Sequence, residues 1–288
     1  MYRYVDVHSH VALDMFGTDS DEVICSMCEQ GIATIVVGVD RLTSEQALAC
    51  AQRHENVFAT IGVHPSEAFA GRNVSGGDIS PSGQASEGDG KREVFDENIY
   101  GALVKNPKVV AIGECGLDYY RLSGEETPRR KDEQHRLFEQ QIRFAVKHDK
   151  PLMLHGRPSK GSMDAYEDML SLLARYKEMY GEKLRGNAHF FVGTPDIAQR
   201  FFALNFTVSF SGVITFASEY DATVRAAPQG MIHAETDSPY AAPHPHRGKR
   251  NDPRFLPTIV GRLAELRGED EEVLRTALRE NAARVFGV

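Results

Sequence analysis

Two histidines one residue apart, His8 and His10, close the run YVDVHSH at residues 4–10. In an extended strand residues two apart point to the same side, so both imidazoles can face one site. Other metal-binding types end other short apolar runs: His64 in VFATIGVHP, Glu114 in KVVAIGE, His155 in PLMLH, His189 in GNAHFF and Asp237 in GMIHAETD. Imidazole with carboxylate suits Zn²⁺ or Mn²⁺; Mg²⁺ is a poorer match to so much nitrogen. His8, His10, Glu114, His155, His189 and Asp237 are too many for one tetrahedral ion with an open position. They suit two ions that share a carboxylate, a pair able to activate water and clamp both oxygens of a phosphoryl displacement.

Such a site needs elements that bring distant residues together. Eight apolar runs read as strands, most of them continuous, as expected for a parallel sheet covered on its outside. Helical periodicity lies between many of them: residues 20–31, 43–56, 96–106, 125–149 and 163–180, with a helical tail at 253–287. The helix from Thr43 is read as opening on a capping box with Gln46. Eight strand–helix units over this length predict an α/β fold, a (β/α)8 TIM barrel of the metallo-dependent hydrolase type. An open doubly wound sheet is the second choice, and it would more often carry a glycine-rich phosphate loop after its first strand. In a barrel all C-terminal strand ends meet on one face, so the six groups converge there.

The whole chain, 1–288, reads as a single barrel domain with one Gly/Ser-rich insertion at about 71–93, which is too polar to repay its own ordering. The net charge of −8 is opposite to that of a protein that tracks duplex DNA by electrostatics. Anionic substrates must therefore meet local positive charge. Arg157, two residues past His155, is one candidate; Arg247, Lys249 and Arg250 in PHPHRGKRN form a possible rim. No stacked run of exposed aromatics is visible. No apolar stretch is long enough for a membrane span and no secretion signal opens the chain, so a cytoplasmic location, or a nuclear one in a eukaryote, is expected. A monomer is expected. Cys25 and Cys28 form a C-x-x-C without a second pair and are read as core-facing residues of a helix.

The same residues resemble a known family, the TatD-type metal-dependent deoxyribonucleases of the amidohydrolase superfamily. VDVHSH, GVHP, AIGECGLDYY, PLMLHGR, HFFVG, SFSGVITF, ETDSPY and PHPHRGKRN occur in the family's order along nearly the whole chain. The resemblance implies a (β/α)8 barrel with two divalent ions, Mg²⁺, Mn²⁺ or Zn²⁺. It implies His8, His10 and Asp237 on one ion, His155 and His189 on the other, and Glu114 between them. Asp237 would also orient the attacking water or take its proton, and His64 and Arg157 would contact the scissile phosphate. The implied activity is hydrolysis of DNA phosphodiester bonds, as a 3′–5′ exonuclease on single-stranded DNA or frayed ends. Departures from the family pattern are Ala12 after Val11, the lengthened PSKGSMD after Arg157, and the insertion beside His64. None of them touches the six ligand-type residues. Two other classes stay open: hydrolysis of a small ester, lactone or amide, including an aminoacyl-tRNA-type ester, and a binding protein on a retired barrel.

Overall fold

The computed structural model describes residues 2–12, 14–68 and 94–288; the insertion expected at 71–93 lies outside the described residues. Eight parallel strands form one sheet in sequential order, β1 (Tyr4–Ser9), β2 (Ile32–Val37), β3 (Val57–Ile61), β4 (Val109–Asp118), β5 (Leu152–Arg157), β6 (Gly186–His189), β7 (Phe206–Phe210) and β8 (Ile232–Ala234). β-Branched runs such as IATIVV in β2 and VFATI in β3 suit strands buried on both faces. The sheet curls almost fully round. Between its first and last strands the Asp237 N–H donates to the His8 carbonyl at 2.9 Å, and the His10 N–H donates to the Ser238 carbonyl at 2.7 Å. Asp6 reinforces this seam by accepting the Thr236 N–H and hydroxyl at 2.9 and 2.6 Å. The expected TIM barrel is the observed fold.

Helices cover the outside: α1 (Ser20–Glu29), α2 (Arg41–Arg53), α3 (Glu97–Leu103), α4 (Thr127–Lys147), α5 (Asp164–Tyr180), α6 (Pro195–Ala203), α7 (Asp221–Ala226), α8 (Leu256–Arg267) and α9 (Glu271–Phe286). None of the described helices is long and apolar enough to cross a membrane. Two local readings are corrected. α2 begins earlier than Thr43, because Asp40 is the N-cap and forms the capping box with Thr43. Thr43 is therefore the third helical residue, and Gln46 has no part in the cap. Cys25 is exposed and Cys28 half-buried, since α1 buries Val23, Ile24 and Met27; both thiols are free. The connections after β6 and β7 contain α6 and α7, whose shortness left little periodicity to read, although Thr194 and Pro195 form an ordinary helix start.

The barrel interior is not uniformly apolar. Val5, Val7, Ile35, Val110 and Met153 cluster with Phe286 of α9. Beside them runs a buried polar seam. Ser209 donates to Glu235 at 2.5 Å, Asn187 donates to Ser209 at 2.7 Å, and Thr207 donates to Asn187 at 3.1 Å. His233 Nε2 meets the Thr207 hydroxyl at 3.0 Å, while its Nδ1 is buried without a partner among the described residues. Burial, with the charge of Arg284 adding to it, pushes the His233 imidazole down to about 3 from 6.5. The unfolded chain therefore takes up a proton below about pH 6.5 that the folded barrel refuses. This contribution is fully present above that pH and is lost as the pH falls toward about 3. The urea midpoint should drop between pH 7 and 5, and His233→Asn should flatten that dependence by up to about 1.4 kcal/mol per pH unit. An unchanged slope would mean that His233 does not carry it.

Candidate metal centre

At the C-terminal mouth of the barrel one carboxylate gathers five imidazoles. Glu114 is only 2% exposed. Its Oε1 lies 2.7 Å from His155 Nδ1, 2.9 Å from His189 Nε2 and 3.5 Å from His64 Nε2. Its Oε2 faces the other way, 3.5 Å from His8 Nε2 and 3.7 Å from His10 Nε2. Asp237 Oδ1 caps that second pair at 3.6 and 3.5 Å. The six ligand-type residues expected from the sequence are thus brought together, and His64 stands among them. His189 sits between the two sides, because its ring also stacks on that of His8 at 3.7 Å.

Local backbone explains how each group reaches this point. His8 and His10 leave β1 where its register against β2 shifts between Asp6 and Ser9. Glu114 does not end β4; it lies inside the strand, at a register shift between Ile112 and Cys115. Gly113, with φ of 145°, allows the shift, since a Cβ there would fall 2.3 Å from the Met153 carbonyl oxygen. His64 and Asp237 lie three residues beyond β3 and β8, in the loops. Asp237 (φ 50°) and Phe190 (φ 44°) adopt left-handed backbone, which costs a non-glycine residue about 1–3 kcal/mol. Each is held by a hydrogen bond from its own N–H, Asp237 to His8 and Phe190 to Glu235 at 2.6 Å.

Electrostatics divide the imidazoles. Burial pushes His8 down to about 4 and His64 down to about 3, in each case helped by a neighbouring histidine. Burial also opposes charge on His155 and His189. Asp118 and Glu114 nevertheless lift His155, and Glu114 and Glu235 lift His189 well above the usual range. Burial favours a neutral Glu114, but the charges of His189 and His64 and hydrogen bonds from His155 and His189 hold its carboxyl well below the ordinary range.

The residues fit a divalent metal. Glu114 Oε2, His8 Nδ1, His64 Nε2 and His189 Nδ1 are buried with no hydrogen-bond partner among the described residues, an arrangement that native interiors avoid. His8 Nε2 and His10 Nε2 approach each other to 3.2 Å beside two carboxylates. Three overlapping sets have ligand atoms within 4.8 Å of one another: His8, His189 and Asp237; His8, His10 and Glu114; His64, Glu114 and His155. The set opens onto a cavity of about 360 Å³ whose wall includes Arg121, Arg157, Phe190 and Tyr240.

The comparisons agree with this geometry. The pattern of the family described as "TatD related DNase" matches residues 5–287. The chain belongs to the TatD family. A Bacillus subtilis protein named an uncharacterized metal-dependent hydrolase, YabD, is 32% identical over 98% of both chains. The Escherichia coli protein named 3′-5′ ssDNA/RNA exonuclease TatD is 30% identical over 98% of both chains. Among solved structures, the Escherichia coli TatD homologue YJJV superposes with a TM-score of 0.79 at 26% identity, over 99% of this chain and 98% of its own. As a member of that family, the chain is a metal-dependent hydrolase.

Two carboxylates that touch this cluster were not read from the sequence. Asp118 holds His155 from outside, Oδ2 to Nε2 at 3.2 Å. Glu235, fully buried, reaches within 3.7 Å of His189 Nδ1. Asp118 in GLDYY and Glu235 in ETDSPY stand inside motifs whose other residues drew the attention, and their position next to strand ends was the available signal. The three residues of the expected rim lie apart. Arg250 pairs with Asp19 at 2.6 Å, Arg247 covers the ring of Phe216, Lys249 is exposed, and none of the three lines the cavity.

Gly113→Ala should disrupt the β4–β5 pairing that aims Glu114, lowering stability by about 3 kcal/mol as read from urea denaturation. A substitution costing under about 0.5 kcal/mol would show that β4 tolerates a side chain there.

Proposed function

We propose that this TatD-family hydrolase cleaves phosphodiester bonds of single-stranded DNA, from 3′ to 5′, with two divalent ions in the site. The observation that carries the reading is the division of the imidazoles by Glu114, His8 and His10 on one oxygen, His155, His189 and His64 on the other. That division supports one ion held by His8, His10 and Asp237, a second held by His155 and His189, and Glu114 between them. Divalent ions held there would supply Lewis-acid stabilisation of the charge that builds on the phosphoryl oxygens.

The chain's own groups then have separate tasks. Asp237, at the cavity wall, is placed to accept the proton of the attacking water on its carboxylate. His64 Nδ1 accepts the Ser66 N–H at 3.1 Å and meets the Ser66 hydroxyl at 2.8 Å, so Nε2 carries the proton and is the edge that would donate to the substrate phosphate. Asp118 and Glu235 keep the His155 and His189 rings in place. Arg157, on the cavity wall, offers positive charge to a polyanion that the net charge of −8 would otherwise repel. Support for a single-stranded substrate comes from the relative named for 3′-5′ ssDNA/RNA exonuclease activity.

The test uses end-labelled single-stranded DNA, then RNA, with metal-stripped protein refilled with Mg²⁺, Mn²⁺ or Zn²⁺. A metal-dependent ladder shortened from the 3′ end is expected. Asp237→Asn should lower kcat by about 10²–10⁴-fold. Glu114→Gln should lower bound metal at least severalfold, measured by elemental analysis after dialysis. Metal-loaded protein that cleaves no oligonucleotide but opens a lactone, ester or amide would move the assignment to carbonyl substrates.

A further inference from the structure

Two of the exposed large hydrophobic side chains among the described residues are aromatic, Tyr120 at 46% and Phe216 at 37% exposure. Both lie in loops that follow strands at the barrel mouth, and both are covered by an arginine. The Arg157 guanidinium lies 4.1 Å from the centroid of the Tyr120 ring, and Arg247 lies 3.8 Å from that of Phe216. Neither arginine has an ion-pair partner among the described residues. Elsewhere on the surface the arginines commonly meet carboxylates, as Arg250 meets Asp19 and Arg175 meets Glu139. An aromatic face in water with a planar cation held on it, twice, in loops that follow strands at the barrel mouth, is a feature the sequence did not disclose.

The first pair is tied to the metal centre. The Tyr120 N–H donates to Asp118 Oδ1 at 3.0 Å, and the other oxygen of that carboxylate faces His155 at 3.2 Å. Arg157 follows His155 on β5 and lines the cavity. The second pair joins the loops after β7 and β8, a different side of the mouth, and neither member lines the cavity. A phosphate, being anionic, is repelled by the electron-rich face of a ring. A nucleobase stacks on that face, and stacking on an aromatic plate tolerates any base. A guanidinium occupies such a face by the same attraction and can yield it.

Resting on the nuclease reading above, we propose that Tyr120 and Phe216 are base-stacking plates that lead a single strand across the mouth. Tyr120 takes the base next to the bond that is cleaved, and Phe216 takes a base further along. Each base displaces the arginine from its ring and so frees the guanidinium to pair with the neighbouring phosphate.

The experiment measures binding of a short labelled single strand to the metal-free full chain by fluorescence anisotropy, beside the same strand with abasic residues. The wild type should prefer the strand with bases by about tenfold or more. Tyr120→Ala and Phe216→Ala should each reduce that preference severalfold, Tyr120→Phe should retain it, and circular dichroism should show all variants folded. A preference unchanged in both alanine variants overturns the plates, as does the absence of any preference in the wild type or of any strand binding. Failure of the nuclease reading is recognised separately: no metal then supports cleavage of any strand, whatever the binding ratios.

Discussion

A single buried carboxylate sets the rest of this structure. Glu114 accepts hydrogen bonds from His155 and His189 on one oxygen and presents the other to His8 and His10. An ionised carboxylate removed from water is costly unless it is paired. Here the pairing comes from rings delivered by β1, β5, β6 and the loop after β3, so elements from across the chain are answerable to one side chain. The demand extends outward. Asp118 hydrogen-bonds His155 from behind at 3.2 Å, and Glu235 stands 3.7 Å behind His189.

The support for Glu235 explains why the barrel is polar where most interiors are greasy. Glu235 is fully buried and could not stay there without donors. Ser209 and the Phe190 N–H provide them, Asn187 serves Ser209, and Thr207 serves Asn187. A requirement at the mouth is thus passed down through β6 and β7. The same bond to Phe190 pins a strained turn directly after His189.

Legibility in the sequence followed from period and position. The eight strands were readable because apolar runs bounded by turn residues survive without tertiary information. His8, His10, His155 and His189 could be placed at the mouth because strand ends in this architecture share one face. Glu114 was assigned to the right place for an incomplete reason: β4 continues past it to Asp118, and the glycines around it turn it inward. The start of α2 was misread because Asp40 and Thr43 are equally good caps on paper, and only the backbone decides between them. Cys25 and Cys28 were given the burial typical of cysteine, whereas the register of α1 sends Val23, Ile24 and Met27 inward instead. The stacked pairs Tyr120–Arg157 and Phe216–Arg247 join residues from different loops, and no local pattern announces a contact of that kind.

The seam between β1 and β8 joins the two ends of the chain through the centre's own backbone. His8 accepts from Asp237, His10 donates to Ser238, and Asp6 holds Thr236 across 230 positions of sequence. Contacts so distant in sequence are among the slowest for a chain to find. As the polypeptide emerges during synthesis, β1 can pair with β2 early, but its other edge waits for the segment after β8. A nascent or clipped chain lacking β8 holds imidazoles without the carboxylate of Asp237 and without a closed rim around them. Closure of the barrel and assembly of the histidine–carboxylate cluster are therefore one event.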